Sequence, residues 1–132
     1  MRGISTTALI AALLLAGTVA RAEDVAGKQT YLRYCGACHG PDGRGDGIAG
    51  TFMRPKPTDL TQIAKKNGGE FPVTRVMADI DGRNTVRAHG DPQMPVWGEI
   101  FREEAGSPQG PQNEARSKVV AITEYVRSIQ QK

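Results

Sequence analysis

The stretch Cys35-Gly36-Ala37-Cys38-His39 decides how this chain folds and what it does. It reads C-x-x-C-H, the haem-attachment spacing. Two thiols three positions apart on a helical turn face one edge of a porphyrin and can add to its two vinyl groups. The residue that follows, His39, then aims an imidazole at the iron. Three other readings compete. A redox-active dithiol wants a strand–helix–strand setting, and no such alternation follows. A structural zinc site needs four ligands, and beyond Cys35, Cys38 and His39 the chain offers only His89 among its histidines and cysteines. A structural disulfide of an exported protein leaves His39 without a role. The spacing therefore predicts one haem c, bonded covalently through Cys35 and Cys38, with His39 as an axial ligand.

Upstream of the motif, residues 1–22 read as a secretory signal peptide. Arg2 supplies the positive start, Ala8 to Ala20 run apolar, and Ala20-Arg21-Ala22 forms a small-x-small cleavage site ahead of Glu23-Asp24. The apolar run of 13 residues is short of the roughly 18–20 that span a bilayer. Cleavage after Ala22 is expected, leaving a single domain over residues 23–132 in the periplasm with no stable membrane insertion. A lipid anchor is disfavoured because the first cysteine stands far beyond the apolar run.

Charge supports this division. Arg2 and Arg21 are two of the seventeen Lys and Arg residues, so the chain after residue 22 keeps fifteen basic against fourteen acidic residues. Two haem propionates would bring that balance to zero or below. The sequence pI of about 9.1 is thus no argument for nucleic acid, and no run of Lys or Arg interleaved with aromatics occurs. Nucleic-acid binding is set aside. With three Phe, three Tyr and one Trp, a chain this small is near the limit of independent stability. A large apolar cofactor at its centre would ease that difficulty.

Around the motif the pattern is helical. Residues 24–37 read as a helix with Asp24 as N-cap. The loop from Gly40 to Gly50 holds five glycines but lacks the Gly-Lys-Ser/Thr ending of a phosphate cradle. Two prolines, Pro55 and Pro57, precede a helix start at Thr58 or Asp59. Residues 71–80 carry apolar positions at 73, 76, 77 and 80, a helical stripe that Asp81-Gly82 should end. Residues 105–113 read as an exposed polar loop. Asn113 is expected to cap a closing helix to Gln130, in which Val119, Ile122, Val126 and Ile129 form the apolar face. No segment reads as a strand, and the predicted class is all-α.

On these residues the chain resembles the class I monohaem cytochromes c over nearly all of residues 23–132. The N-terminal part of the likeness rests on Gly27, Tyr31, Cys35, Cys38, His39 and Gly40, and the C-terminal part on Ile122 and Tyr125. In that family the first and last helices cross, so Gly27 and Tyr31 are expected against Ile122 and Tyr125. The middle of the likeness rests on Met94-Pro95 in DPQMPVWGEIF, which looks like the loop delivering a second axial ligand. The polar insertion at residues 105–113 departs from the family pattern and should sit at the surface. By the same resemblance, a backbone carbonyl in the stretch Arg54–Pro57 should accept the second N–H of His39, and Trp97 should pack on the haem, bond a propionate or simply fill the core.

The sixth ligand can be weighed on placement as well. Met77 lies on the apolar stripe of its helix, where core packing is the default. Met53 follows His39 by only 14 residues, a poor reach to the opposite haem face. Met94 follows by 55, between Pro92 and Pro95, where the backbone cannot be helical. Met94 is the expected ligand, with His89 the first alternative. A His/Met pair raises the iron's reduction potential relative to bis-histidine and fills both axial positions. The expected function is then a periplasmic one-electron carrier rather than an enzyme, monomeric. It would dock transiently near Gly36 and Ala37 with a periplasmic dehydrogenase, a membrane respiratory complex or a terminal acceptor. The alternative is a haem-based ligand binder or peroxidase-like protein with a labile sixth position.

Overall fold

The computed structural model describes residues 25–84, 94–106 and 110–131. The expected signal peptide, Asp24, His89 and Pro92 lie outside them.

Helix α1 covers residues 25–34 and sets Gly27, Tyr31 and Cys35 on one buried face, the spacing of successive turns. The hydrogen-bond ladder runs on through Cys35, whose N–H donates to the Tyr31 carbonyl at 2.8 Å. It continues into α2, Gly36–His39. Gly40, at φ 80°, ends α2 by leaving the right-handed region. The loop then folds back under α2, where the N–H groups of Gly45 and Gly47 donate to the carbonyls of His39 and Cys38. A short 3₁₀ turn, Ala49–Phe52, lies against α2. Asp59, one of the two expected start residues, caps the next turn by accepting from the Thr61 N–H at 2.9 Å. That 3₁₀ turn, Leu60–Gln62, leads into α3, Ile63–Lys66.

Helix α4, Val73–Asp81, buries Val76 and Ile80 and stops at Gly82 in the left-handed conformation, φ 78°, as the sequence anticipated. A further helix, α5 at Trp97–Glu103, arises where the sequence suggested only an extended ligand segment. Its turn places Trp97, Ile100 and Phe101 at helical spacing, with Phe101 fully buried. The closing helix, α6, spans Pro111–Ser128. It begins earlier than expected: Gly110 is the N-cap and Pro111 the first residue, while Asn113 lies inside the first turn. Proline suits that position because its φ is preset and its missing N–H would bond nothing there.

The N- and C-terminal helices cross as expected. A Cβ on Gly27 would lie 2.7 Å from the Ala121 carbonyl oxygen and 3.4 Å from Tyr125 Cβ, so only glycine permits this approach. The rings of Tyr31 and Tyr125 meet 4.8 Å apart. Their hydroxyls donate to the carbonyls of Gly40 (2.7 Å) and Pro41 (3.2 Å), joining the crossing to the end of α2. Helices α4 and α5 pack on α6, where Ala115, Val119, Ile122 and Val126 are buried. Gln130 closes the other side, accepting from the Ala64 N–H and donating to the Leu60 carbonyl. No strand occurs among the described residues.

Candidate functional site

Cys35 is buried, Cys38 half-buried and His39 only 8% exposed. Because α2 is one helical turn, all three side chains open onto a single cavity of about 610 Å³. Nδ1 of His39 lies 2.9 Å from the Thr58 carbonyl oxygen. A ring N–H there must donate, which fixes the tautomer and leaves Nε2 as the metal-facing nitrogen. The acceptor is thus one residue beyond the Arg54–Pro57 stretch expected from the resemblance. The shift follows from the anchoring of this loop, since the Leu60 N–H is held by the Gly43 carbonyl at 2.7 Å.

Met94 lines the same cavity, entering from the segment that precedes α5. A second compartment, about 460 Å³, shares Cys35, His39 and Met94 and is floored by apolar groups including Val76, Ile80, Ile122 and Val126. Met77 lines neither compartment and packs against the core, as its stripe suggested. Met53, set aside on reach, does line the first compartment. It belongs, however, to the segment that carries the His39-bound carbonyl of Thr58, whereas Met94 alone of the two reaches the deeper compartment. Asp79, which the sequence did not single out, also borders that compartment. Its carboxylate faces Arg75 at 3.9 Å and accepts from Asn84 at 2.9 Å. Its signal was available: it stands three positions after the buried Val76.

Trp97, three residues past Met94, is held in an aromatic cluster. It stacks on Phe101 at 5.8 Å and meets the Tyr34 ring edge-on at 5.5 Å. The Tyr34 hydroxyl donates to Glu104 at 2.6 Å, and Lys118 Nζ lies 3.5 Å from the same carboxylate. Residues of α1, α5 and α6 thereby meet just beyond the segment that presents Met94. The Tyr34 hydrogen bond holds the Glu104 carboxyl below its usual range, with Lys118 adding to the effect.

Cys35 and Cys38 are not joined to each other in a disulfide. Burial, and then the neighbouring Cys38, push the Cys35 thiol up to about 12. Reactive dithiols are built the opposite way, with a thiolate favoured by positive surroundings. No group of three or more His, Cys, Asp or Glu side chains among the described residues could hold a bare metal ion. A flat apolar group that takes both thiols at one edge and an imidazole on one face fits what is present: two sulfurs, a tautomer-locked histidine, a thioether and an aliphatic floor.

An all-α domain with crossed terminal helices, folded around a cavity for a flat thiol-bound prosthetic group, defines a haem-carrying electron-transfer protein. The Cytochrome c family model matches residues 25–130, and the chain belongs to that family. Its members bind haem c and transfer electrons, and Cys35 and Cys38 stand in the attachment motif. No curated protein and no solved structure matches the chain.

Proposed function

We propose that this chain is a periplasmic carrier of single electrons with one haem c, held by thioether bonds to Cys35 and Cys38 and ligated by His39 and Met94. The supporting observation is that the two thiols, the oriented imidazole and the Met94 side chain line one cavity. Haem c, when bound, supplies an iron that changes oxidation state by one electron. The chain's own residues do the rest. Thr58 keeps His39 neutral and correctly turned. The Met94 thioether, a soft ligand, favours the reduced metal and fills the position that oxygen or peroxide would need. The apolar floor keeps water away, so little solvent rearranges when charge changes.

This reading makes the protein a carrier rather than an enzyme, and a monomer that meets its partners briefly. Ala37 is exposed at the attachment turn. Beside it, at the two ends of the 3₁₀ turn packed against α2, Ile48, which precedes the turn, and Phe52, which closes it, are 76% and 84% exposed. A small apolar patch at the cofactor edge suits a short-lived interface with a dehydrogenase, a respiratory complex or a terminal acceptor. No helix among the described residues is long and apolar enough to cross a membrane.

The absorption spectrum of the ferric holoprotein tests the reading. A low-spin spectrum with the weak thioether-to-iron band at the red edge, and no uptake of carbon monoxide by the reduced form, is expected. A high-spin ferric form that binds cyanide and carbon monoxide readily would point instead to the ligand-binding or peroxidase-like alternative.

A further inference from the structure

Where α4 ends and α6 begins, three guanidinium groups border one recess. Arg83 follows the Gly82 stop of α4, Arg102 comes from the last turn of α5, and Arg116 from the second turn of α6. The recess is open to solvent and shares no lining residue with either compartment at His39. Its apolar base is formed by Met77, Ala115 and Val119.

Two of these arginines are oriented by a single carboxylate. Asp81, whose side chain is only 16% exposed, takes Arg83 Nε on one oxygen and Arg102 Nη1 on the other, the latter at 3.5 Å. Arg116 makes no ion pair among the described residues, and the nearby Glu114 is engaged by Lys118 at 3.4 Å. The described lining therefore holds three positive charges against one negative, an excess of two. The first turn of α6 adds the positive end of an 18-residue helix and the side chain of Gln112, which lines the same recess.

We propose that this recess binds a small tetrahedral oxyanion carrying two negative charges, such as a free phosphate or phosphomonoester group. The excess of two charges sets the preferred charge of the ligand. The planar forks of Arg83 and Arg102, already held by Asp81, supply paired N–H donors suited to phosphate oxygens, and Arg116 closes the third side.

Calorimetric titration of the holoprotein with inorganic phosphate, against chloride at equal ionic strength, tests the site. One saturable site is expected, with a dissociation constant of about 1 mM or lower. Arg116→Gln and Arg83→Gln should each weaken it by about tenfold or more, as expected for loss of a charge-assisted pair. Arg127→Gln, an exposed cation on α6 paired with Glu124, should leave it unchanged. Because Arg83 and Arg116 are exposed, both variants should keep the parent's melting temperature and spectrum. A heat that never saturates, or equal weakening by Arg127→Gln, would mean general charge screening and overturn the proposal. Binding to vesicles containing phosphatidic acid without binding to inorganic phosphate would also overturn it, in favour of a lipid surface.

Discussion

Gly27→Ala sets two opposing effects against each other at the crossing of α1 and α6. Inside a helix this exchange ordinarily adds about 0.5–1 kcal/mol, because alanine has less backbone freedom to lose on folding. Here the new methyl would lie 2.7 Å from the Ala121 carbonyl oxygen. Reaching an ordinary C···O contact requires a separation greater by roughly 0.6 Å. Neither neighbour yields easily, since one is the backbone of α6 and the other, Tyr125, is packed on Tyr31. Overpacking of this kind costs about 1–3 kcal/mol, so the net loss should be about 1–2 kcal/mol. In a domain of this size that lowers the melting temperature by about 5–15 °C. Gly36→Ala, in the first turn of α2, is the internal control: its Cβ would meet Leu32 Cδ2 at 3.6 Å, an ordinary contact, so nothing offsets the gain in helix stability and the melting temperature should be kept or slightly raised. Thermal unfolding of the ferric holoproteins, followed by far-ultraviolet circular dichroism, reads both. A Gly27→Ala protein as stable as its parent or more so would refute the close crossing.

The remaining predictions concern the iron's second ligand and the Glu104 contact. Met94→Ala should keep covalent haem yet give a high-spin iron, new binding of carbon monoxide and a lowered potential, while Met53→Leu and Met77→Leu leave the optical spectrum unchanged. A low-spin Met94→Ala protein with its potential unmoved would make His89 the next residue to test. Glu104 has a depressed carboxyl, so its contribution to stability is present above the usual glutamate value of about 4.3 and is lost as pH falls through the lower folded value. The stability difference between parent and Glu104→Gln, from urea titrations, should therefore be constant near neutral pH and vanish in acid. A difference that persists at pH 2 would show that Glu104 acts by packing alone.

The attachment turn was legible because its spacing is dictated by covalent geometry rather than by packing. Element ends were legible where one residue sets them, Asp59 by its side-chain cap and Gly82 by its left-handed backbone. Helix α5 was hidden because its seven residues follow two prolines, and the ligand-loop reading of Met94-Pro95 absorbed Trp97, Ile100 and Phe101, whose spacing carried the signal. The start of α6 was misplaced by three residues because Asn113 is a good cap in isolation, whereas Gly110-Pro111 supplies the chain reversal and the first helical φ together. The partner of His39 was missed by one residue because it depends on where loop 53–59 is anchored, a tertiary fact. Met53 was set aside on chain reach, but a loop that folds back under α2 needs little reach to meet the same cavity. The Tyr34–Glu104–Lys118 contact joins residues far apart in sequence and carries no motif.

Intact-mass spectrometry of the denatured holoprotein reads the covalent attachment at Cys35 and Cys38. A chain beginning at Glu23 and heavier by one haem is expected, with nothing released by acid–acetone extraction, and Cys35→Ala/Cys38→Ala should remove the added mass. A holoprotein whose denatured mass equals that of the bare polypeptide, with its haem extractable, would contradict it.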